Sequence, residues 1–289
     1  MKLVNFRMVG HRAGALIGDR VLDLTSVVPS NPVTVDHIIH RGLLPQVRNV
    51  IDNAAEYPRY QFFPASGLKL SPPVLFPDKI VCLGLNYAGH AREQGREPPE
   101  HPIIFAKAPT ALCGPYDNIV IRPGVEDVDA EAELAVIIGR RGTMIPEEKA
   151  RDYIAGFTAF NDVSARRIQR GDRQWFRGKS FDTFGPCGPC LVTPDEIGDH
   201  AGLRIVQRLN GTVMQESTTA DMVFGVEAIV SFVSSAMTLM PGDIIATGTP
   251  AGVGLYRDPQ VFLGDGDVVE VEIERIGLLR NTVRVMEVG

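Results

Sequence analysis

Three acidic residues, Glu131, Glu133 and Asp162, carry the strongest chemical signal in the chain. Glu131 and Glu133 stand two apart at the head of the apolar run ELAVIIG, so on an extended strand both carboxylates leave the same face. Like charges at that spacing repel, and a cation between them relieves the cost. Hard oxygen donors select Mg²⁺, Mn²⁺ or Ca²⁺ over softer metals. Asp162 closes the apolar run IAGFTAFND, where a strand buried on both faces would hold it firmly at its C-terminal end. Each residue also has an ordinary reading. The EAE motif beside Asp127 and Asp129 suits a solvated strand end, and Asp162 suits the N-cap of a short helix in SARRIQ, a task open to Ser164 as well.

Other residues supply complementary chemistry. His90 and Glu93, in NYAGHAREQG, fall three apart, so one helical turn lets the carboxylate orient the imidazole as a general base; a polar surface helix explains them equally. Lys179 lies among Trp175, Phe176, Phe181 and Phe184, a setting in which an ammonium beside apolar surface can stabilise an enolate or oxyanion. Arg166 and Gln169 share one side of the helix expected after Asp162, and suit a carboxylate and a keto or hydroxyl oxygen, or simply an exposed polar face. The Gly-rich TGTPAGVG, residues 247–254, lacks the endings of nucleotide loops and suits a backbone that approaches a small ligand, with Thr249 offering its hydroxyl. Cys187-Gly-Pro-Cys190 has redox spacing, but CLVTPDE after it is extended and ends at a proline. Without a helix N-terminus or a second pair it reads as two free thiols in a loop.

The elements that must hold these groups are mainly strands. LVNF, GALIG and DRVLDL suggest antiparallel strands at the start, and the spacing from Val35 to Ala55 suggests two short helices divided near Gly42 and Pro45. The proline-rich stretch Leu70 to Pro77 reads as a linker, which divides the chain into a small β-rich N-terminal domain, 1–72, and a catalytic domain, 73–289. Strands are expected at IVCLGL, IIF, IVI, ELAVIIG and DIIATG, with hairpins at Asn210-Gly211 and near Gly277. Helices are expected over Pro146 to Tyr153 and Val226 to Leu239. The fold class is therefore α+β and strand-rich.

Composition narrows the partners. In 289 residues, 44% are hydrophobic and no apolar stretch is long enough to span a bilayer, so no membrane partner is expected. A net charge of -6 with scattered Lys and Arg leaves no basic stripe for nucleic acid. The N-terminus has no signal-peptide pattern, which points to a cytoplasmic location. Four cysteines are too few for a disulfide scaffold.

Taken in order, LGLNYAGHAREQG, FAKAPTALCGP, EAELAVIIG, FNDVSARRIQ, GKSFDTFGPCGP, the Asn-Gly hairpin and PGDIIATGTPAGVG resemble the fumarylacetoacetate hydrolase family from about Lys79 onward. That resemblance implies a mixed β-roll, usually in a homodimer, with Mg²⁺, Mn²⁺ or Ca²⁺ on Glu131, Glu133 and Asp162. It implies His90 and Glu93 as a water-activating dyad on a mobile lid and Lys179 as the group that polarises the carbonyl. Arg166, Gln169 and Thr249 match substrate-contacting positions, and Lys107 lies in a block near the site. Arg167 departs from the pattern, standing where many relatives carry Asp, and Cys187 and Cys190 fall on variable positions. The leading expectation is hydrolytic C-C cleavage of a small 2,4-diketo acid of the acylpyruvate type. The alternative is a decarboxylase or isomerase of a related keto acid, such as oxaloacetate or a 2-hydroxydienoate, on the same metal-enolate site.

Overall fold

The computed structural model describes residues 1–25, 27, 28, 31, 33–54 and 61–287. Strands dominate, as the β-branched runs require. The largest sheet has 12 strands, with the order Phe62–Pro64, Arg20–Asp23, Gly10–Ile17, Lys2–Met8, Gly185–Val192, Ile154–Asn161, Ala132–Ile138, Ile244–Ala246, Ile80–Gly84 and Ile103–Lys107. Lys69–Ser71 also pairs with Lys2–Met8, and Leu112–Cys113 with Gly185–Val192. The first strand, Lys2–Met8, pairs directly with Gly185–Val192, so hydrogen bonds run without a break from the N-terminal strands into the later ones.

At the centre, Ala132–Ile138 is buried at every position and runs antiparallel to both Ile154–Asn161 and Ile244–Ala246. Its side chains alternate between two cores, as a period of two dictates. Leu134, Val136 and Ile138 enter one core, and Ala135 and Ile137 the other. A strand covered on both faces reads as an unbroken apolar run, which is how ELAVIIG appears in the sequence.

A second sheet of five strands carries both expected hairpins. Arg204–Leu209 turns into Thr212–Thr218 through Asn210 and Gly211, whose φ values of 52° and 80° are those a tight two-residue turn demands. Val268–Ile273 pairs with Gly277–Val285 in the same sheet.

The helices are short. Val35–His40 and Leu44–Asp52 are separate, as Gly42 and Pro45 indicate; Thr34 caps the first by accepting from the His37 N–H, and Pro45 starts the second. Ala55, the expected end of that region, lies outside the described residues. Val226–Ala236 is an α-helix. The helix expected from Pro146 to Tyr153 is a 3-10 helix over Glu147–Tyr153, a short tight coil feeding directly into the strand at Ile154. Cys187 and Cys190 also differ from expectation. They lie inside the strand Gly185–Val192 and not in a loop, and both are buried and free. Three residues apart on a strand, they point to opposite faces and join different cores. Burial pushes both thiols up to about 12, which removes the thiolate that redox chemistry needs. Among the described residues no helix is long and apolar enough to cross a membrane.

Because Leu134 is fully buried in the central strand, Leu134→Ala leaves a cavity and is expected to cost about 2–5 kcal/mol in urea-unfolding measurements.

Candidate active site

Strand register brings the three carboxylates together. Ala132 pairs with Asn161, which sets Glu131 and Asp162 side by side just beyond the paired residues. Two bonds fix the junction: the Asp162 N–H donates to the Glu131 carbonyl at 2.9 Å, and the Glu131 N–H donates to Asn161 Oδ1 at 3.0 Å. The described strand begins at Ala132, one residue later than Glu131, yet Glu131 and Glu133 still converge. Ligand atoms of Glu131, Glu133 and Asp162 all lie within 4.8 Å of one another, and all three residues are buried.

Buried charges need partners. Lys179 Nζ donates to Glu131 Oε2 at 2.5 Å and to Asp162 Oδ2 at 2.6 Å. Lys107 Nζ donates to Asp162 Oδ1 at 2.6 Å and to the Val163 carbonyl at 3.1 Å. Arg166 Nη2 lies 2.7 Å from Glu131 Oε1 and donates to Asp129 Oδ2 at 2.8 Å. Counting Asp129, four carboxylates face three cations, and the surplus sits at Glu133. Among the described residues Glu133 has no ion pair; it accepts only the Gly248 N–H, at 2.9 Å. Burial, with Asp162 and Glu131 close by, pushes its carboxyl well above the usual range. Burial acts the same way on Glu131, but Arg166 and Lys179 outweigh it and hold that carboxyl below the usual range. Burial would lower Lys179, yet Asp162 and Glu131 raise it above its ordinary value, so it remains an ammonium at neutral pH. Three converging hard donors with one uncompensated charge are what a divalent cation fits. Glu131, Glu133 and Asp162 therefore form a set that can hold a metal ion.

A cavity of about 190 Å³ opens over this cluster. Its wall includes Glu131, Glu133, His90, Lys179, Arg166, Gln169 and Thr249. Seven of the ten residues singled out from the sequence thus meet in one space. Asp162 and Lys107 stand behind it, and Glu93 reaches it through His90. Lys107 is buried with its ammonium spent on Asp162, so its place is beneath the cavity wall.

His90 lies in the helix Ala88–Glu93. Its Nδ1 is 2.9 Å from Glu93 Oε2, and the Gln94 amide nitrogen donates to its Nε2 at 2.8 Å. An acceptor at Nε2 places the proton on Nδ1, the tautomer of a neutral base directed by a carboxylate. Glu93 Oε1 accepts the Gly252 N–H at 2.8 Å, which ties this helix to the Gly-rich loop. Gln215 Nε2 donates to Thr249 Oγ1 at 2.8 Å, leaving the Thr249 hydroxyl proton for another acceptor. The apolar neighbour of Lys179 is Phe105, whose ring centroid lies 5.1 Å from Nζ, and Phe105 packs edge-on against Trp175. Arg167 is exposed and paired with Glu126.

Sequence reasoning missed Asp129, Gln94, Arg96 and Arg170. Asp129 accepts from Arg166 and from the N–H groups of Gly254 and Leu255, a junction of three distant segments. The spacing of Arg170, four residues beyond Arg166, was a usable signal.

Two glycines permit this packing. At Gly248, φ is 98° and an added Cβ would sit 2.8 Å from the Asn86 Cβ. At Gly178, one residue before Lys179, a Cβ would meet the Gln169 backbone nitrogen at 2.7 Å. Gly178→Ala must therefore push two helices apart; a loss of about 1–3 kcal/mol in thermal unfolding and weaker Mn²⁺ binding are expected. Protonation of Glu133 supports the metal-free fold below the ordinary carboxylate range, and that support is lost as pH rises through its raised value. Metal binding expels this proton, so divalent-ion affinity should rise with pH until the raised value of Glu133 is passed and then level off. Glu133→Gln should flatten that rise and weaken binding by at least about tenfold, as read by calorimetry in buffers of different ionisation enthalpy.

Comparison with known proteins finds related sequences and structures over the whole chain. The oxaloacetate tautomerase FAHD2A, mitochondrial, of Bos taurus is 46% identical over 98% of this chain and 91% of its own length. Among solved structures, the 5-carboxymethyl-2-hydroxymuconate delta-isomerase from Mycobacterium smegmatis superposes with a TM-score of 0.79 at 33% identity, covering 100% of both chains. The maleylpyruvate hydrolase from Sphingobium sp. SYK-6, in complex with manganese(II) ion and pyruvate, superposes with a TM-score of 0.83 at 30% identity, covering 99% of this chain and 100% of its own. Residues 79–284 match the family described as fumarylacetoacetate (FAA) hydrolase C-terminal. With its strand-rich α+β architecture and these relatives, the chain belongs to the fumarylacetoacetate hydrolase family.

Proposed function

We propose that this chain is a divalent-metal-dependent isomerase of a small 2-oxo acid, interconverting keto and enol forms of an oxaloacetate-like substrate. The observation that carries the reading is the meeting of the three-carboxylate cluster, the Lys179 ammonium and the His90–Glu93 pair around one small cavity. The bovine tautomerase and the mycobacterial isomerase favour isomerisation over the C-C hydrolysis that led the sequence reading. Hydrolysis of a diketo acid stays as the second reading, favoured by the likeness to the maleylpyruvate hydrolase. Mg²⁺ or Mn²⁺ on Glu131, Glu133 and Asp162, and assembly as a homodimer, belong to the same proposal. The bovine relative is named as mitochondrial, so it lends no support to the cytoplasmic location expected from the sequence.

When bound, the ion supplies a Lewis acid for the 2-oxo oxygen. The protein's own groups then move the proton. Once the Gln94 amide yields Nε2 to the substrate, His90 accepts there the proton that C3 gives up, and Glu93 on Nδ1 stabilises the imidazolium that forms. The C–H pair becomes the C2=C3 bond while the C=O π pair passes to oxygen. Lys179 has two of its three protons on Glu131 and Asp162, and the third can donate to the oxygen where charge collects. Return of the proton from His90 to that oxygen gives the enol, with no atom gained or lost.

The test follows the ultraviolet absorbance of enol-oxaloacetate with purified protein and Mg²⁺ or Mn²⁺, and identifies products. Expected is accelerated decay to one four-carbon keto acid, abolished by a chelator and reduced about 10²–10⁴-fold in His90→Ala. Two carbon fragments from an acylpyruvate, with no acceleration of oxaloacetate tautomerisation, would instead establish the hydrolase.

A further inference from the structure

Arg166 is the arginine that the sequence offers to a substrate carboxylate, yet four of its five N–H bonds are already spent on protein acceptors. Nε donates to Asp129 Oδ2 at 3.0 Å, Nη2 reaches Asp129 and Glu131, and Nη1 donates to Gln169 Oε1 at 3.2 Å. Two other arginines line the same cavity. Arg96 follows the helix Ala88–Glu93 across a turn at Gly95, where φ is 68°. Arg170 lies one helical turn beyond Arg166 in Arg166–Gly171, and so on the same side. Both are exposed, and among the described residues neither guanidinium has a hydrogen-bond or ion-pair partner. Exposed arginines without a partner occur elsewhere, at Arg41, Arg141 and Arg173 for example; what sets Arg96 and Arg170 apart is their place on the wall of this cavity.

Two unpaired guanidinia, brought from separate elements to the wall of one small polar cavity, are suited to an anionic group of its ligand. We infer that Arg96 and Arg170 form a subsite for the second carboxylate of a dicarboxylic 2-oxo acid. The pair sets a preference for dianionic over monoanionic substrates. This inference rests on the 2-oxo acid reading above and names which members of that class the cavity selects.

The test compares oxaloacetate with its 4-methyl ester, which keeps the 2-oxo acid end and removes the distal charge. The ratio of kcat/KM for diacid over ester is measured for the wild type, Arg96→Ala, Arg170→Ala and the double variant, with Arg141→Ala, an exposed position outside the cavity wall, as control. Kd values for the same pair are measured by calorimetry with Mg²⁺ present. The ratio should fall by about tenfold or more in the double variant, with Arg→Lys at both positions restoring part of it and Arg141→Ala leaving it unchanged. A fall of less than about threefold in the double variant, with its melting temperature unchanged, overturns the inference, and so does a wild type that binds diacid and ester alike. If the wild type turns over neither compound, the proposed activity falls by itself, and the calorimetric ratio still decides the subsite.

Discussion

The structure is organised around a repulsion. Glu131, Glu133 and Asp162 are forced into contact range inside a protein, where charge is costly, and much of the surrounding sequence compensates them. Lys179 and Lys107 divide Asp162 between them, while Arg166 and Lys179 share Glu131. The third carboxylate is left with one backbone N–H. This incomplete compensation separates a metal site from a structural ion-pair network, which would close its own balance. It also accounts for the depth of the site within the sheet, because a rigid strand junction is needed to hold like charges where side chains on a loop would swing apart.

Compensation extends outward through Asp129. One carboxylate accepts from the Arg166 guanidinium and from the N–H groups of Gly254 and Leu255, so the helix carrying Arg166 and the loop carrying Thr249 are fastened to one point. Gln215 adds a second tie, accepting the Ala132 N–H and donating to Thr249 Oγ1 and the Pro250 carbonyl. Both residues act through others. They keep the polar wall of the cavity in register with the strand on which the acidic cluster is built.

What the sequence made legible follows from short-range physics. The central strand showed as ELAVIIG because burial on both faces leaves an unbroken apolar run, and the Asn210-Gly211 turn showed because few residue pairs tolerate its φ values. The acidic triad was readable because Glu131 and Glu133 share strand parity and Asp162 ends a neighbouring run. Asp129 was hidden because its partners lie 37, 125 and 126 residues away, and no local pattern announces such a junction. Lys107 was placed near the site by resemblance alone, and its pairing with Asp162, 55 residues on, appears only once the strands are aligned. Cys187 and Cys190 are the free thiols the sequence suggested, but they were placed in a loop because the glycines and prolines of FGPCGP hide a strand, whose geometry sends the two thiols to opposite faces.

Glu93 has two neighbours at once: one oxygen meets His90 Nδ1 and the other takes the Gly252 N–H. The aligner of the base is itself aligned by a different part of the chain. Movement of the Ala88–Glu93 helix away from the loop frees Glu93 to change rotamer, and the imidazole loses its guide with it. The His90–Glu93 contact therefore depends on a loop 159 residues away in the chain staying against this helix.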